Sequence, residues 1–175
     1  MPVRQVISGG QTGVDRAALN AAIALGVAHG GWCPKGRWAE DGPIDARYAL
    51  TETPSIDPDQ RTEWNVRDAD ATLVLAFGPL TGGTLTTCRF AERYGKPWLA
   101  IDLSAESPAL ASRQIRRWLA DTGPATLNVA GPRRSEAPVA YARAYEALRA
   151  GIGRQGAAAV AGSDAIDTPR PTAAP

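Results

Sequence analysis

This chain is poor in the residues that most often perform chemistry or cross-link a fold. Of its 175 residues, two are cysteines, Cys33 and Cys88, and one is a histidine, His29. Two cysteines are too few for a disulfide scaffold, and there is no CxxC or HxxxH pair to hold a metal ion. The histidine falls in a predicted strand, and no Ser–His–Asp pattern is present. We therefore predict no metal site and no catalytic residue.

An excess of charge and a long apolar run are also missing. The 19 basic and 18 acidic residues leave a formal net charge of +1. This balance argues against a general nucleic-acid or membrane-surface binder, which needs a basic excess. No stretch reaches the apolar length of a membrane helix, and the opening residues MPVRQVIS predict a strand, not a secretion signal. We expect a cytoplasmic protein with reduced thiols.

What the chain does have is a regular alternation of short apolar runs and helical patterns. Strands are predicted at 3–8, 27–32, 71–77, 97–103 and 125–130, and helices at 14–25, 59–69, 84–94, 108–121 and 138–152. The alternation predicts an α/β fold, a single Rossmann-like domain over residues 1–153 whose open parallel sheet has helices on both faces. Residues 154–175, rich in Ala, Gly and Pro, are predicted to be a disordered tail.

Ligands of open parallel sheets sit beyond the carboxyl ends of the strands, which directs attention to the loops there. The first such loop is a glycine turn before the first helix, made of Gly9, Gly10, Gln11, Thr12 and Gly13. Glycines let a ligand approach the backbone, and helix N-terminal amides attract anions. The turn therefore predicts a phosphate cradle, with a plain tight turn capped by Thr12 as the alternative.

A second candidate is the turn formed by Lys35, Gly36 and Arg37, which Trp32 and Trp38 bracket. Cations on a glycine turn can hold an anion, and tryptophans beside them can stack on a heterocycle. The alternative is a solvated loop with two packed tryptophans. The turn lies in a long Pro- and Gly-rich stretch, 34–58, and loops of this length in compact domains are usually functional.

Two further junctions resemble the first. The third predicted strand leads into a glycine turn and a helix, and this turn adds the candidates Thr81, Gly82, Gly83 and Thr84. The helix before that strand adds Arg61 and Asn65, which lie four residues apart and therefore share a helix face. After the last strand, Gly131 and Pro132 turn the chain before Arg133 and Arg134, which fit a ligand contact or a surface turn equally well.

Six ordered blocks, SGGQTGVDRAAL, HGGWCPKGRWAEDGPI, LTETPS, QRTEWNVRDADATLVL, LTGGT and LNVAGPR, together resemble the molybdenum-carrier family. That family belongs to the SLOG superfamily of Rossmann-like nucleotide-binding folds. The resemblance spans about residues 3–150. It implies a carrier of molybdenum cofactor (molybdopterin), a phosphorylated pterin whose dithiolene holds the metal, bound as cargo without conversion. It also implies a homo-oligomer, dimer or tetramer, that exchanges cargo with molybdoenzymes or cofactor-synthesis proteins.

The same superfamily includes phosphoribohydrolases with the signature PGGxGTxxE, and aligning Gly83 and Thr84 with its Gly-Thr places Thr87 where the catalytic Glu would stand. That departure argues against this hydrolysis. Two alternatives to the carrier remain. One is a nucleotide-processing hydrolase that uses Glu40, Asp41 or Asp15 as an acid, and the other is a nucleotide sensor that signals by oligomerisation.

Overall fold

The computed structural model describes residues 2–153, so the predicted tail lies outside the described residues. The strands are β1 Gln5–Ile7, β2 Ala28–Gly30, β3 Trp32–Cys33, β4 Trp38–Ala39, β5 Gly42–Pro43, β6 Thr51–Glu52, β7 Ala71–Ala76, β8 Trp98–Asp102 and β9 Thr126–Ala130. The helices are α1 Val14–Leu25, α2 Pro58–Asp68, α3 Gly82–Arg93, α4 Pro108–Thr122 and α5 Ala140–Ile152. The predicted alternation of strands and helices is confirmed.

The main sheet has five parallel strands in the order β2-β1-β9-β7-β8. The last strand of the chain, β9, is therefore inserted at the centre, between β1 and β7. If β9 and α5 preceded β1 in the chain, this order would read 3-2-1-4-5, the order of a doubly wound nucleotide-binding sheet. The fold is thus Rossmann-like with its first strand–helix unit moved to the C-terminal end.

Helices cover both faces of the sheet, as predicted. Helix α5 packs against α1 and α4 on one face, while α2 packs against α3 on the other. The crossover β1-α1-β2 runs in one direction across the sheet and β7-α3-β8 in the opposite direction, so right-handed connections place α1 and α3 on opposite faces. All six residues of β7 are buried, as expected for a strand covered on both sides.

The stretch that follows β2 is an ordered insertion with a small core of its own. At Gly31, where a Cβ would lie 2.4 Å from the Ser8 carbonyl oxygen, the chain leaves the main sheet. The predicted second strand is therefore split in two, and β3 pairs with β6 instead. The insertion buries a cluster of side chains against α1, namely Leu19, Cys33, Ala39, Ile44 and Tyr48.

Within residues 2–153, both cysteines are free and buried. No helix in that range is long and apolar enough to cross a bilayer. Nor does the same range contain a cluster of His, Cys, Asp or Glu that could hold a metal ion.

Candidate functional site

A cleft opens where the strand order reverses direction, between the carboxyl ends of β9 and β7. In doubly wound sheets this switch point is the usual ligand site. The cleft has a volume of about 100 Å³ and opens to solvent. It is lined from five parts of the chain, chiefly by Gln11, Asp15, Trp38, Arg61, Thr62, Gly83, Thr84, Thr87, Gly131, Arg133 and Glu136.

The N-terminus of α3 forms one wall and is open. Thr81 is the residue before the helix, and its side chain caps no amide. The backbone amides of Gly82, Gly83 and Thr84 have no acceptor among the described residues, because the first bond of the helix runs from Leu85 to Thr81. A Cβ on either glycine would meet nothing within 4 Å. These free amides, at the positive end of a helix dipole, suit an anion.

A buried ion pair forms a second part of the lining. Arg61 Nη1 donates to Asp15 Oδ2 at 2.9 Å, with only 3% of the Asp15 side chain exposed. The guanidinium occupies the space where Gly9 lacks a side chain, since a Cβ there would lie 1.7 Å from Nη1. Burial raises the pKa of Asp15, and the positive charge of Arg61 opposes that rise. The Nε of Arg61 is buried without a partner, leaving a donor unused beside the cleft.

The loop after β9 supplies the third wall. A Cβ at Gly131 would lie 2.4 Å from the Leu75 carbonyl oxygen, so only glycine lets this turn pass so close to β7. Arg133 follows, pairs with Glu136 at 3.3 Å, and leaves 43% of its side chain exposed. Sequence reasoning left the role of Arg133 open and did not select Gly131. The sequence does show a strand followed by Gly-Pro-Arg-Arg, but this pattern points to the cleft only once β9 is known to lie at the centre of the sheet.

The GGQTG turn, in contrast, is filled by the protein itself. A Cβ at Gly10 would lie 2.5 Å from Leu50, and one at Gly13 would lie 2.4 Å from the Pro132 carbonyl oxygen. The Gln11 amide donates to Asp15, the Thr12 amide to the Gln11 side chain, and the Val14 amide to Pro132. Only Gln11 of this turn lines the cleft.

Thr12 does not cap α1. Its hydroxyl donates to Glu40 and accepts from the Arg134 amide at 3.0 Å. The Glu40 carboxylate also accepts from the Ser135 amide at 3.1 Å and from the Ser135 hydroxyl at 2.5 Å. Partial desolvation acts to raise the pKa of Glu40, but the hydrogen bonds from Ser135 and Thr12 outweigh it and lower the pKa. Glu40 is thus an ionised anchor that joins the insertion to two loops of the site.

The structure does not bring the Lys35–Gly36–Arg37 turn to the cleft. The Arg37 guanidinium donates to four backbone carbonyls of the insertion, those of Ile44, Asp45, Tyr48 and Leu50. The Gly36 amide donates to Glu52 at 2.5 Å. Arg37 thereby holds the insertion in shape, and anion binding by this turn stays a prediction.

Of the two bracketing tryptophans, Trp32 contacts Asn65 and does not line the cleft, whereas Trp38 does. The Asn65 amide side chain holds the backbone of Trp32, accepting from its N–H at 2.8 Å and donating to its carbonyl at 2.9 Å. The Trp32 ring packs edge-on against Trp64 and donates to Asp68 at 2.7 Å. Trp38, in contrast, is 55% exposed and lines the cleft.

The position of the hydrolytic glutamate is occupied by a short hydroxyl. The Thr87 Oγ1 atom donates to the Gly83 carbonyl at 2.8 Å within α3, and the side chain borders the cleft. Two carboxylates do line the cleft, Asp15 and Glu136, and each faces an arginine. Glu40 and Asp41, the other acids proposed for a hydrolase, are bonded to Ser135 and Arg16 instead.

The fold defines a doubly wound α/β protein with a cleft at its switch point, lined by free helix amides and two arginines. The model of the circularly permutated YpsA SLOG family matches residues 6–152, so this chain belongs to that family. The permutation in the family's description agrees with the displaced β9-α5 unit.

A solved structure agrees with this assignment. The chain is 44% identical to the "putative molybdenum carrier protein" of Syntrophus aciditrophicus SB, whose crystal structure superposes with a TM-score of 0.84. The match covers 86% of this chain and 96% of that one. None of the curated proteins matches the chain.

Proposed function

We propose that this protein carries or stores molybdenum cofactor and holds the cofactor's phosphorylated pterin in the switch-point cleft. The observation that carries the proposal is the open N-terminus of α3, where Gly83 and Thr84, two of the residues with free amides, line a cleft that Arg61 and Arg133 also line. The name of the Syntrophus protein, 44% identical over most of the chain, supports molybdenum-related cargo.

A phosphate monoester fits this wall. Amides at a helix start donate to phosphate oxygens, and the hydroxyls of Thr81 and Thr84 stand beside them as further donors. Arg61 adds a positive charge to the same cleft and brings an unused Nε donor. Arg133 is exposed enough to turn from Glu136 toward a dianion. The GGQTG turn contributes through Gln11 and by positioning the neighbouring loops.

Binding without conversion follows from the acids that the cleft offers. The Thr87 hydroxyl is too weak an acid and too weak a base for general acid–base catalysis near neutral pH. The two carboxylates that line the cleft, Asp15 and Glu136, are each paired with an arginine. Incubation with a panel of nucleoside monophosphates should therefore release no free base. Release that disappears in Glu136→Gln or Asp15→Asn would favour the hydrolase.

The proposal also covers the compartment, the oligomeric state and the partners. We infer a cytoplasmic homo-oligomer, dimer or tetramer, that gives its cargo to molybdoenzymes or takes it from cofactor-synthesis proteins. Light scattering measures the oligomer mass directly. A nucleotide sensor would change that mass when nucleotides are added, whereas a carrier would keep it.

The direct test is to purify the protein anaerobically from a host that makes the cofactor. After oxidation we expect a fluorescent pterin and molybdenum in fixed ratio to the chain. Gly83→Val places a branched side chain over the α3 amides and should abolish both signals. Ala109→Val, in the first turn of α4 and outside the cleft, should retain them. Absence of pterin and metal, with no rise in Tm on adding cofactor, would overturn the proposal.

A further inference from the structure

Trp38 is an exposed aromatic side chain held at the edge of the cleft. It is 55% exposed, although tryptophan is a residue that folded chains bury when they can. The other tryptophans with described packing are covered, since Trp32 and Trp64 pack on each other and Trp118 packs on the main core. We propose that Trp38 is the stacking platform for a planar heterocycle, so that the cleft selects heterocyclic phosphate monoesters over bare oxyanions.

The backbone beneath the ring is fixed on both sides. Trp38 pairs with Pro43 in the antiparallel β4–β5 hairpin, and Ala39 next to it is buried in the insertion's own core. Arg37, immediately before Trp38, is bonded to four carbonyls. Glu40, two residues after it, is bonded to Thr12 and Ser135. A rigid backbone with an exposed ring loses little entropy when a ligand stacks on that ring.

The ring and the phosphate wall belong to the same cleft. Trp38 borders it together with Gly83, Thr84 and Arg61, so one ligand can reach both. A cavity with one aromatic surface and a cluster of donors fits a ligand with a flat ring at one end and an anion at the other. Both a pterin phosphate and a purine mononucleotide have this chemistry. The proposal rests on the proposed function, because it takes the anion site at α3 as given.

The experiment is calorimetric titration of wild type, Trp38→Ala and Trp38→Phe with five probes. Two probes carry an aromatic heterocycle and a phosphate (neopterin monophosphate and GMP), one carries the heterocycle without phosphate (guanosine), and two carry no aromatic ring (ribose 5-phosphate and molybdate). Ile56→Ala is the matched control, because Ile56 is 78% exposed on the same insertion but does not line the cleft.

We expect Trp38→Ala to weaken the two ring phosphates by about five-fold or more, as stacking on an aromatic side chain would. Trp38→Phe should recover part of that loss. Ribose 5-phosphate should bind wild type and Trp38→Ala alike, and Ile56→Ala should match wild type throughout. Comparing neopterin monophosphate with GMP then shows which heterocycle the ring prefers.

Failure of this inference differs from failure of the proposed function. Equal affinity of wild type and Trp38→Ala for the ring phosphates overturns the stacking role and leaves the anion site standing. Molybdate bound more tightly than both ring phosphates also overturns it. Suppose instead that guanosine and the two ring phosphates bind wild type but not Trp38→Ala, and that ribose 5-phosphate does not bind at all. The stacking role then stands and the anion site at α3 is overturned. No binding of any probe overturns both.

Discussion

Two glycine turns of similar composition follow β1 and β7, the strands on either side of β9, and they differ in what occupies the space above them. In GGQTG, after β1, the missing side chains make room for Arg61, Leu50 and the loop at Pro132. In TGGT, at the start of α3, the missing side chains leave open space and free amides. The first turn is packed by the protein, and the second is open.

The comparison shows that a glycine turn at a strand end is not by itself a phosphate cradle. What decides is whether another segment of the chain already occupies the space above the turn. Here the insertion after β2 and the loop after β9 fill the first turn, and nothing described fills the second. Substitutions in the two turns should therefore separate stability from binding.

The largest effect should come from Gly13→Ala. The new methyl would lie 2.4 Å from the Pro132 carbonyl oxygen at a backbone φ of +76°, so overpacking and backbone strain should together reduce the free energy of unfolding by about 4 kcal/mol. Urea denaturation measures it. Gly26→Ala is the control for a left-handed backbone without overpacking, because its φ is +69°, its ψ is 24° and nothing lies within 4 Å; it should cost about 1 kcal/mol. The ψ of Gly13 is −127°, outside the left-handed helical region, so the excess loss in Gly13→Ala reports packing together with this additional backbone strain. Equal losses in the two variants would contradict both contributions.

The next effect should come from Arg61→Gln, which leaves the buried Asp15 carboxylate without its partner. We expect a loss of about 3 kcal/mol in unfolding free energy at neutral pH. Burial already raises the pKa of Asp15 above its ordinary 3.8, and removing Arg61 raises it further. A carboxyl with a raised pKa takes up a proton on folding, so the loss should shrink as the pH falls toward about 4.

The control for that prediction is the double variant Asp15→Asn/Arg61→Gln. It has no buried charge to leave unpaired, so most of the lost stability should return. A double variant as unstable as Arg61→Gln alone would mean that Arg61 acts by filling space beside Gly9 and not by neutralising Asp15.

A smaller effect should come from Glu40→Gln, which weakens the anchor between the insertion and the first glycine turn. We expect a loss of about 1 kcal/mol at neutral pH. Because the pKa of Glu40 is lowered from its ordinary 4.5, its contribution is present above that value and disappears as the pH falls through the folded-state value. The variant should therefore lose less stability on acidification than wild type. Parallel acid unfolding curves would contradict this.

The smallest effect on stability should come from Gly83→Ala in the open turn. A methyl there meets nothing within 4 Å, so the free energy of unfolding should change by less than about 0.5 kcal/mol. Ligand affinity should fall all the same, since the methyl enters the space above the α3 amides. Gly82→Ala, at a φ of +50°, should be less stable than Gly83→Ala. A large loss in Gly83→Ala would mean that this turn is packed too.

Much of the fold could be predicted from local pattern. The apolar run of β7 and the Gly26 that ends α1 are visible in the sequence, as is α3, although the helix begins at Gly82, two residues before the predicted Thr84. Local pattern also points to Gln11, Arg61, Gly83 and Thr84, all of which line the cleft. The structural role of Arg37 could not be predicted, because its partners are backbone carbonyls of the insertion, and backbone carbonyls give no sequence signal.

The sequence by itself determined an alternating α/β chain with glycine turns at strand ends, because hydrophobic period and glycine content act over a few residues. Only the tertiary structure decided which turn is open. That choice depends on β9 entering the sheet between β1 and β7, and on the insertion folding back onto GGQTG through Glu40. Both are contacts between residues far apart in the chain, and their energies come from packing that no local pattern records.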